Sequence, residues 1–411
     1  MLNLIINRKC LGYPRIGILV TFLVFASTLC IQCQASSAGT AADADSDFKY
    51  QGEYLGKVET VSPVLGVQVI AKGGGLFTAA FLPGGLPGAG WDTANRIEQN
   101  GTLQAGEVHF QPIDASKEYT AAISTDGSAI SGKTPKGELF TLLKIFRKSP
   151  SLDSVPPANA TVLFNRDDLS AFVKNSASLD SGFLLPQGSA YSGAVTVQTF
   201  GSFTLHLEFR EPFEPYESGQ RRGNSGIYLQ GRYELQILDS FGLNIHRGKP
   251  GEETQECGAF YQLVGPSLNM SFPPLSWQTY DIEFTKAKFS ADGKTQLDPA
   301  VATVRLNGVV IHDHQPLLNK TLLGDSVKAE DGPLRFQAHG GSVLFRNIWV
   351  VRNGGTAIRP APRLKPAGNL YRLLRGEAST TGDLVSGRRV AGSLAAGCYL
   401  SREAGRFIAA P

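Results

Sequence analysis

The residues whose types and spacing admit chemistry lie in Asn224-Ser-Gly-Ile-Tyr-Leu-Gln-Gly-Arg-Tyr-Glu-Leu-Gln-Ile-Leu-Asp239. The stretch reads as two short strands joined by a turn at Gly231-Arg232. Strand side chains alternate faces, so Glu234 and Gln236 point one way while Tyr233, Leu235 and Ile237 take the opposite, core face. Asp239 lies five residues after Glu234. Only a bulge or the end of the strand brings it to the same side. A carboxylate and an amide in such a row can bind hydroxyls or transfer a proton. A polar row on an apolar strand costs stability unless that face meets water or a ligand. A solvated sheet face explains the pattern equally well. His206, Glu208 and Arg210 alternate in the same manner within Phe203–Arg210 and form a second candidate row.

The elements that must position these residues are strands. The chain has 411 residues, 46 of them Gly and 23 Pro, with many runs of Val, Ile, Phe and Thr. That composition predicts mostly β structure with many turns. Arg8, Lys9 and Arg15 precede an uncharged run from Ile16 to Ile31 and then Cys33-Gln34-Ala35. This predicts a signal peptide over residues 1–35, with Ser36 the first mature residue and a secreted or periplasmic location. The run is shorter than the ~20 apolar residues of a bilayer span. No second long apolar run follows, so no membrane span is expected after cleavage. Residues 36–46 read as disordered and 47–148 as a small antiparallel β domain, with strands at 66–71, 76–82, 106–110 and 119–123. Residues 149–160 read as a Pro-rich linker. Residues 161–352 read as a second β domain, in which Asn307-Gly308 is a hairpin signal. Short strands at this spacing predict a sandwich or jelly roll. Residues 353–411 read as an irregular basic tail. The net charge of +3 gives no sign of a nucleic-acid partner. After signal removal only Cys257 and Cys398 remain, so the fold does not rest on a disulfide framework.

Other motifs fail on their context. Gly127-Ser-Ala-Ile-Ser-Gly-Lys-Thr134 fits the phosphate-loop pattern letter for letter, but Pro135 and Gly137 stand where a helix must begin. A hairpin turn is the better reading. Pro83 and Pro87 break the loosely dinucleotide-like Gly84–Gly90. His312 and His314 would share a strand face as a metal pair, yet no third or fourth ligand is identifiable nearby. A solvated strand end is the expectation there.

Taken in order, several pieces resemble the 3-keto-disaccharide hydrolase domain family. They are Leu163-Phe-Asn-Arg-Asp-Asp-Leu169, Gly201–Arg210, Asn224–Leu229, Tyr233–Asp239, Cys257-Gly-Ala-Phe-Tyr261, Trp277-Gln-Thr-Tyr-Asp281, Val304–Val309 and Phe345-Arg-Asn-Ile-Trp349. They span residues 161–352. Gly52-Glu-Tyr-Leu-Gly56 and Pro83-Gly-Gly-Leu-Pro-Gly88 resemble a planctomycete-like N-terminal β module that precedes this domain in some environmental bacteria.

The resemblance implies an all-β fold, with a concanavalin/laminarinase-like β-sandwich after the small β domain. It implies a carbohydrate substrate, a glycoside whose sugar carries a ketone at carbon 3. The ketone acidifies the C2 hydrogen, a base removes it, and the glycosidic oxygen leaves C1 by elimination before water adds. Such a site needs one base, one group to stabilise the enolate and one proton donor. On this reading Glu234 is the base and Asp239 the runner-up. His339 is a candidate acid or ligand of a divalent metal, a cofactor the sequence neither requires nor excludes. Glu208, Arg210, Asn224, Gln230 and Gln236 are candidates to hold hydroxyls, and Tyr261 and Trp277 to stack on the ring or serve as core. The chain departs from the family at Ala338, which replaces an acid before His339, and at Phe172, which replaces a Trp. Two other classes remain open: a carbohydrate-binding module without catalysis, favoured by Ala338, and an ordinary endoglycosidase using two carboxylates, suggested by Glu234-x-Gln236-x-x-Asp239.

Overall fold

The computed structural model describes residues 37–59, 61–245, 251–353, 401–403 and 406–408. The expected signal peptide and nearly all of the expected tail lie outside the described residues, as does Cys398. Among the described residues there are strands and two single-turn 3-10 segments, and no α-helix.

Eight strands, β1 (Gly52–Val58), β2 (Val61–Ala71), β3 (Leu76–Pro83), β4 (Ile97–Gln104), β5 (Glu107–Phe110), β6 (Thr120–Ile123), β7 (Ala129–Lys133) and β8 (Leu139–Ile145), pair antiparallel in chain order. Pairing of β1 with β8, Leu55 opposite Leu143, closes the barrel and leaves no free edge. Alternation points Val67, Val69, Phe77, Phe81, Phe110 and Leu142 inward, all fully buried. Gly127–Thr134 is the β6–β7 turn followed by β7 itself.

The sandwich follows. One sheet holds β10 (Ala177–Asp180), β11 (Phe183–Pro186), β22 (Leu344–Arg352), β13 (Phe203–Arg210), β16 (Gln278–Thr285), β19 (Ala300–Leu306) and β20 (Val309–Leu317), with β9 (Thr161–Phe164) beside β22. The other runs β12 (Gly193–Phe200), β21 (Gly332–Gln337), β14 (Ser225–Leu229), β15 (Tyr233–Ile237). Leu205, Leu207 and Phe209 from the first sheet share one buried core with Ile227, Leu235 and Ile237 from the second, which makes the pair a sandwich. A hairpin, β17 (Lys288–Phe289) with β18 (Gln296–Asp298), is appended outside. Asn307 and Gly308, at φ 51° and 80°, form the expected tight β19–β20 turn.

Two connecting segments are more ordered than expected. Within 36–46, Ala38 bridges Phe213 and is 5% exposed, because a small apolar residue fits the barrel core that Phe213 also enters. The Pro-rich segment after β8 does not hang free. Ser149 Oγ meets Thr279 Oγ1 at 2.6 Å, Ser151 Oγ donates to Asp281 at 2.6 Å, and the Asp153 N–H donates to Glu208 at 2.6 Å. The segment is thereby laid across the outer face of the large sheet.

Candidate active site

The hairpin β14–β15 places Glu234 directly opposite Tyr228. Both point away from the core that Ile227 and Leu235 fill. The Tyr228 hydroxyl donates to Glu234 Oε2 at 2.7 Å. Gly226, the next same-face residue on β14, gives the carboxylate its space: a Cβ there would lie 2.6 Å from Glu234 Oε1. Glu234 is 3% exposed, and burial pushes its carboxyl up to about 7 against the lowering effects of the Tyr228 hydroxyl and the Arg335 charge. The Arg335 guanidinium stacks 3.8 Å from the Tyr228 ring centroid and donates to Leu323 O at 2.8 Å. Burial also pushes the Tyr228 phenol up, reinforced by the charge of Glu234. Gln337 Nε2, from neighbouring β21, reaches the Tyr228 hydroxyl at 3.3 Å.

Gln236 and Asn224 meet on a residue that sequence reasoning did not single out. Gln220 Oε1 accepts from Gln236 Nε2 at 2.9 Å and from Asn224 Nδ2 at 3.0 Å. Gln220 Nε2 donates in turn to Gln255 O at 2.9 Å. Gln236 Oε1 is left buried with no donor, an acceptor that the folded chain does not satisfy. Tyr261 is half-buried beside this face, and its N–H donates to the Glu234 carbonyl at 3.1 Å. His339 is half-buried in the loop after β21, and that loop passes the Asn224 backbone at Gly341. Ala338 before it is 8% exposed, and its N–H reaches Ser192 O at 3.4 Å. Glu234, Gln236, Asn224 and Tyr261 therefore gather around the outer face and ends of one sheet, joined by Tyr228, Arg335, Gln220 and Gln337, while His339 follows β21 without a contact to any of them.

The remaining candidates do not join them. Asp239 lies past the end of β15, where Arg222 Nε donates to it at 2.6 Å. Buried Glu211 and Glu214 stand nearby, and both carboxyls are pushed up by burial, Glu211 well above the usual range. Gln230 sits in the hairpin turn at φ 54°, donates to Phe200 O at 2.8 Å and accepts from buried Arg232 at 2.9 Å, which makes it a brace of the turn. Glu208 and Arg210 are on the large sheet, facing away from the shared core and therefore on the side opposite the Glu234 face. Glu208 is fully buried there by Arg346 (2.7 Å), Asn347 (2.9 Å) and the Asp153 N–H. Burial raises its carboxyl, but His206 and Asn347 hold it below the usual range. Burial disfavours charge on His206, yet hydrogen bonds to Asp281 and Glu208 hold its imidazole up at about 9. Trp277 is half-buried on that outer face, with Arg346 at 4.3 Å and Arg210 at 5.1 Å from its ring. Strand alternation was legible for the His206–Arg210 row, but it does not say which sheet or which cover the row meets.

His312 and His314 do not face together either. A register shift in the β19–β20 pairing and φ 47° at His314 turn them apart. His312 is buried against Gly258 O at 2.7 Å, and His314 lies in solvent beside Asp313. Among the described residues no three His, Cys, Asp or Glu side chains gather as a metal-holding set. The missed residues Tyr228 and Arg335 had a signal: a turn centred on Gly231 pairs Tyr228 with Glu234, and Arg335 alternates with Gln337 ahead of His339.

A family model described as the 3-keto-alpha-glucoside-1,2-lyase-like domain matches residues 159–351. The matched region holds every strand of the sandwich up to the last residue of β22 and all of the residues gathered at Glu234. Among solved structures, a candidate glycosyl hydrolase of Parabacteroides distasonis ATCC 8503, solved at 2.13 Å, is 32% identical. That match covers 48% of this chain and 85% of the other, with a TM-score of 0.41. A second from the same organism, solved at 1.70 Å, is 19% identical over 48% of this chain and 98% of its own, with a TM-score of 0.35. No curated protein matches the chain. Through residues 159–351, the chain belongs to the 3-keto-alpha-glucoside-1,2-lyase-like domain family.

Proposed function

We propose that this protein cleaves the glycosidic bond of 3-keto-glucosides, with Glu234 as the base that removes the C2 proton. The observation that carries the reading is a single buried carboxyl with its pKa near 7, held by one phenol on a polar sheet face. A base of this kind is half-ionised at neutral pH and strong enough to take an acidified carbon-bound proton. The C2–H electron pair becomes the C2–C3 double bond of the enolate, and the ketone oxygen takes the charge. Collapse of the enolate expels the C1 oxygen, and His339 is the candidate to protonate it. Water then adds across the new C1–C2 double bond, so the net change is hydrolysis. Gln236 Oε1 and the Asn224 amide are suited to hold the sugar hydroxyls. The name of the family supports the substrate class.

The two-carboxylate alternative has no support in the arrangement. No second carboxylate is among the groups that act on Glu234, and Asp239 is engaged by Arg222. A retaining glycosidase needs its pair about 5–5.5 Å apart. The test is turnover of a 3-keto-α-glucoside and of its unoxidised parent by wild type and Glu234→Gln. Release of aglycone from the keto sugar alone, lost in the variant while its circular dichroism is unchanged, is the expected result. Turnover retained in the variant, or cleavage of the parent, would overturn the reading.

A further inference from the structure

Beside Glu234 lies an open pocket of about 300 Å³ whose lining includes Tyr261, Leu263, Thr321, Leu322 and Leu323. Its walls are tied to the hairpin that carries the carboxylate. The Glu234 N–H donates to Thr321 Oγ1 at 2.8 Å, the Tyr261 N–H donates to the Glu234 carbonyl at 3.1 Å, and the Tyr228 hydroxyl lies 3.4 Å from Leu322 O. Leu263 and Leu322 are 36% and 51% exposed. Large aliphatic side chains grouped with a tyrosine at the rim of a concave site are a surface that an apolar ligand would cover. The cation in the lining, Lys320, is turned away: its ammonium donates to Gly324 O at 2.6 Å.

The wall is also preformed. Leu323 is held at φ 61°, a left-handed conformation that costs energy for a branched side chain. Arg335 fixes its carbonyl at 2.8 Å. Gly324 lets the loop lie against the hairpin, since a Cβ there would stand 2.1 Å from Arg232 O. A second sugar in this pocket would bring a ring of hydroxyls to walls that offer it chiefly the Gln262 amide and the Tyr261 hydroxyl, and each hydroxyl left unpaired is costly.

We propose that this pocket is the leaving-group subsite and that it takes an aromatic or aliphatic aglycone in preference to a second sugar. The proposal rests on the reading of Glu234 as the base that works beside it. The substrate class is then the 3-keto-glucosides of small apolar alcohols and phenols.

The test separates binding from turnover. Unoxidised phenyl α-glucoside, methyl α-glucoside and maltose are titrated calorimetrically into wild type and Leu322→Asn, and the 3-keto forms of the same three sugars are assayed for turnover. Phenyl α-glucoside should bind at least tenfold tighter than the other two, and Leu322→Asn, a change at an exposed site, should erase that preference while leaving methyl α-glucoside binding unchanged. In turnover the phenyl keto-glucoside should lead the keto-disaccharide in kcat/KM by a similar factor. Equal binding of all three sugars, a preference for maltose, or a phenyl preference that survives Leu322→Asn would overturn the subsite. Tight phenyl binding with no keto sugar cleaved would sink the elimination reading and leave the apolar subsite standing.

Discussion

Glu234 must satisfy two opposing demands. Burial raises its carboxyl from 4.5 to about 7 and so makes it a useful base, but the same burial makes its ionised form a burden on the fold. Below pH 4.5 the folded and unfolded chains both carry the proton, and the group does not weigh on stability. As pH rises toward 7 the unfolded chain ionises first, so folded stability is lost across that window, on the order of 3 kcal/mol when complete. Glu234→Gln should therefore melt higher than wild type at pH 8, and the gap should close near pH 4. Thermal scans at the two pH values check this, and an equal gap at both would contradict it. Tyr228 acts in the other direction by lowering the pKa of Glu234. Tyr228→Phe should move the acid limb of the kcat/KM profile to higher pH and cost about tenfold at pH 7, since the hydrogen bond it removes is to a charged group. A pH–rate profile that drops without moving would make Tyr228 a packing residue only. The sequence made Glu234 visible through its place in a polar row. It did not single out Tyr228, because alternation turns it away from Ile227 and Leu229 but only the register of the hairpin sets it across from Glu234.

The hairpin β14–β15 translates residue types into a site. Its alternation was legible: Tyr233, Leu235 and Ile237 are fully buried on the core side, as their spacing predicts. The companionship of strands was not. The rows of β13 and β15 look alike in the sequence, yet one is sealed under the 149–154 segment and the other borders a pocket, because alternation fixes the face of a strand and not its sheet. Gly226 shows how tightly the hairpin is cut to its carboxylate. Its backbone is not left-handed, so Gly226→Ala should fold, and the methyl group should even favour the strand. The new Cβ would press on Glu234 Oε1 at 2.6 Å and on its Cγ at 3.0 Å. Displacement of a reacting group by about 1 Å costs on the order of 100-fold. The expected outcome is a kcat/KM loss of that size with a Tm within a few degrees of wild type. A variant as active as wild type would mean that Glu234 has room to move and is not the positioned base.

At the scale of the whole molecule the barrel acts as a support for the site. Among the described residues, the barrel and the sandwich belong to one compact unit. The 211–224 segment, which carries Gln220 and Asn224 to the site, is anchored on the barrel: Phe213 lies in the barrel core, and the Tyr216 hydroxyl accepts from the Gly74 N–H at 3.2 Å. Sequence reading separated a small β domain from a sandwich but could not see this docking, because Phe213 looks like any residue of a turn. The strongest fastening on the barrel side is Arg147, just past β8. It donates to both oxygens of Glu53 at 2.6 Å and to Pro87 O at 2.7 Å, and its guanidinium lies 4.9 Å from the Phe272 ring of the sandwich. The Glu53 side chain is 1% exposed. Removal of Arg147 would strand that charge with only the Gln68 amide at 2.9 Å, and a buried pair broken on one side costs about 3–5 kcal/mol. Arg147→Met should therefore lower the midpoint of urea unfolding sharply, and Glu53→Gln added to it should recover much of the loss by removing the stranded charge. Because the barrel holds the Gln220 segment, Arg147→Met should also raise KM more than it lowers kcat at temperatures where the variant is still folded. A single urea transition, followed by hydrogen exchange in both the barrel strands and the sandwich strands and shifted as one by the substitution, is the outcome that joins the two parts. Separate transitions, with only the barrel affected, would show that the sandwich and its site stand without the barrel.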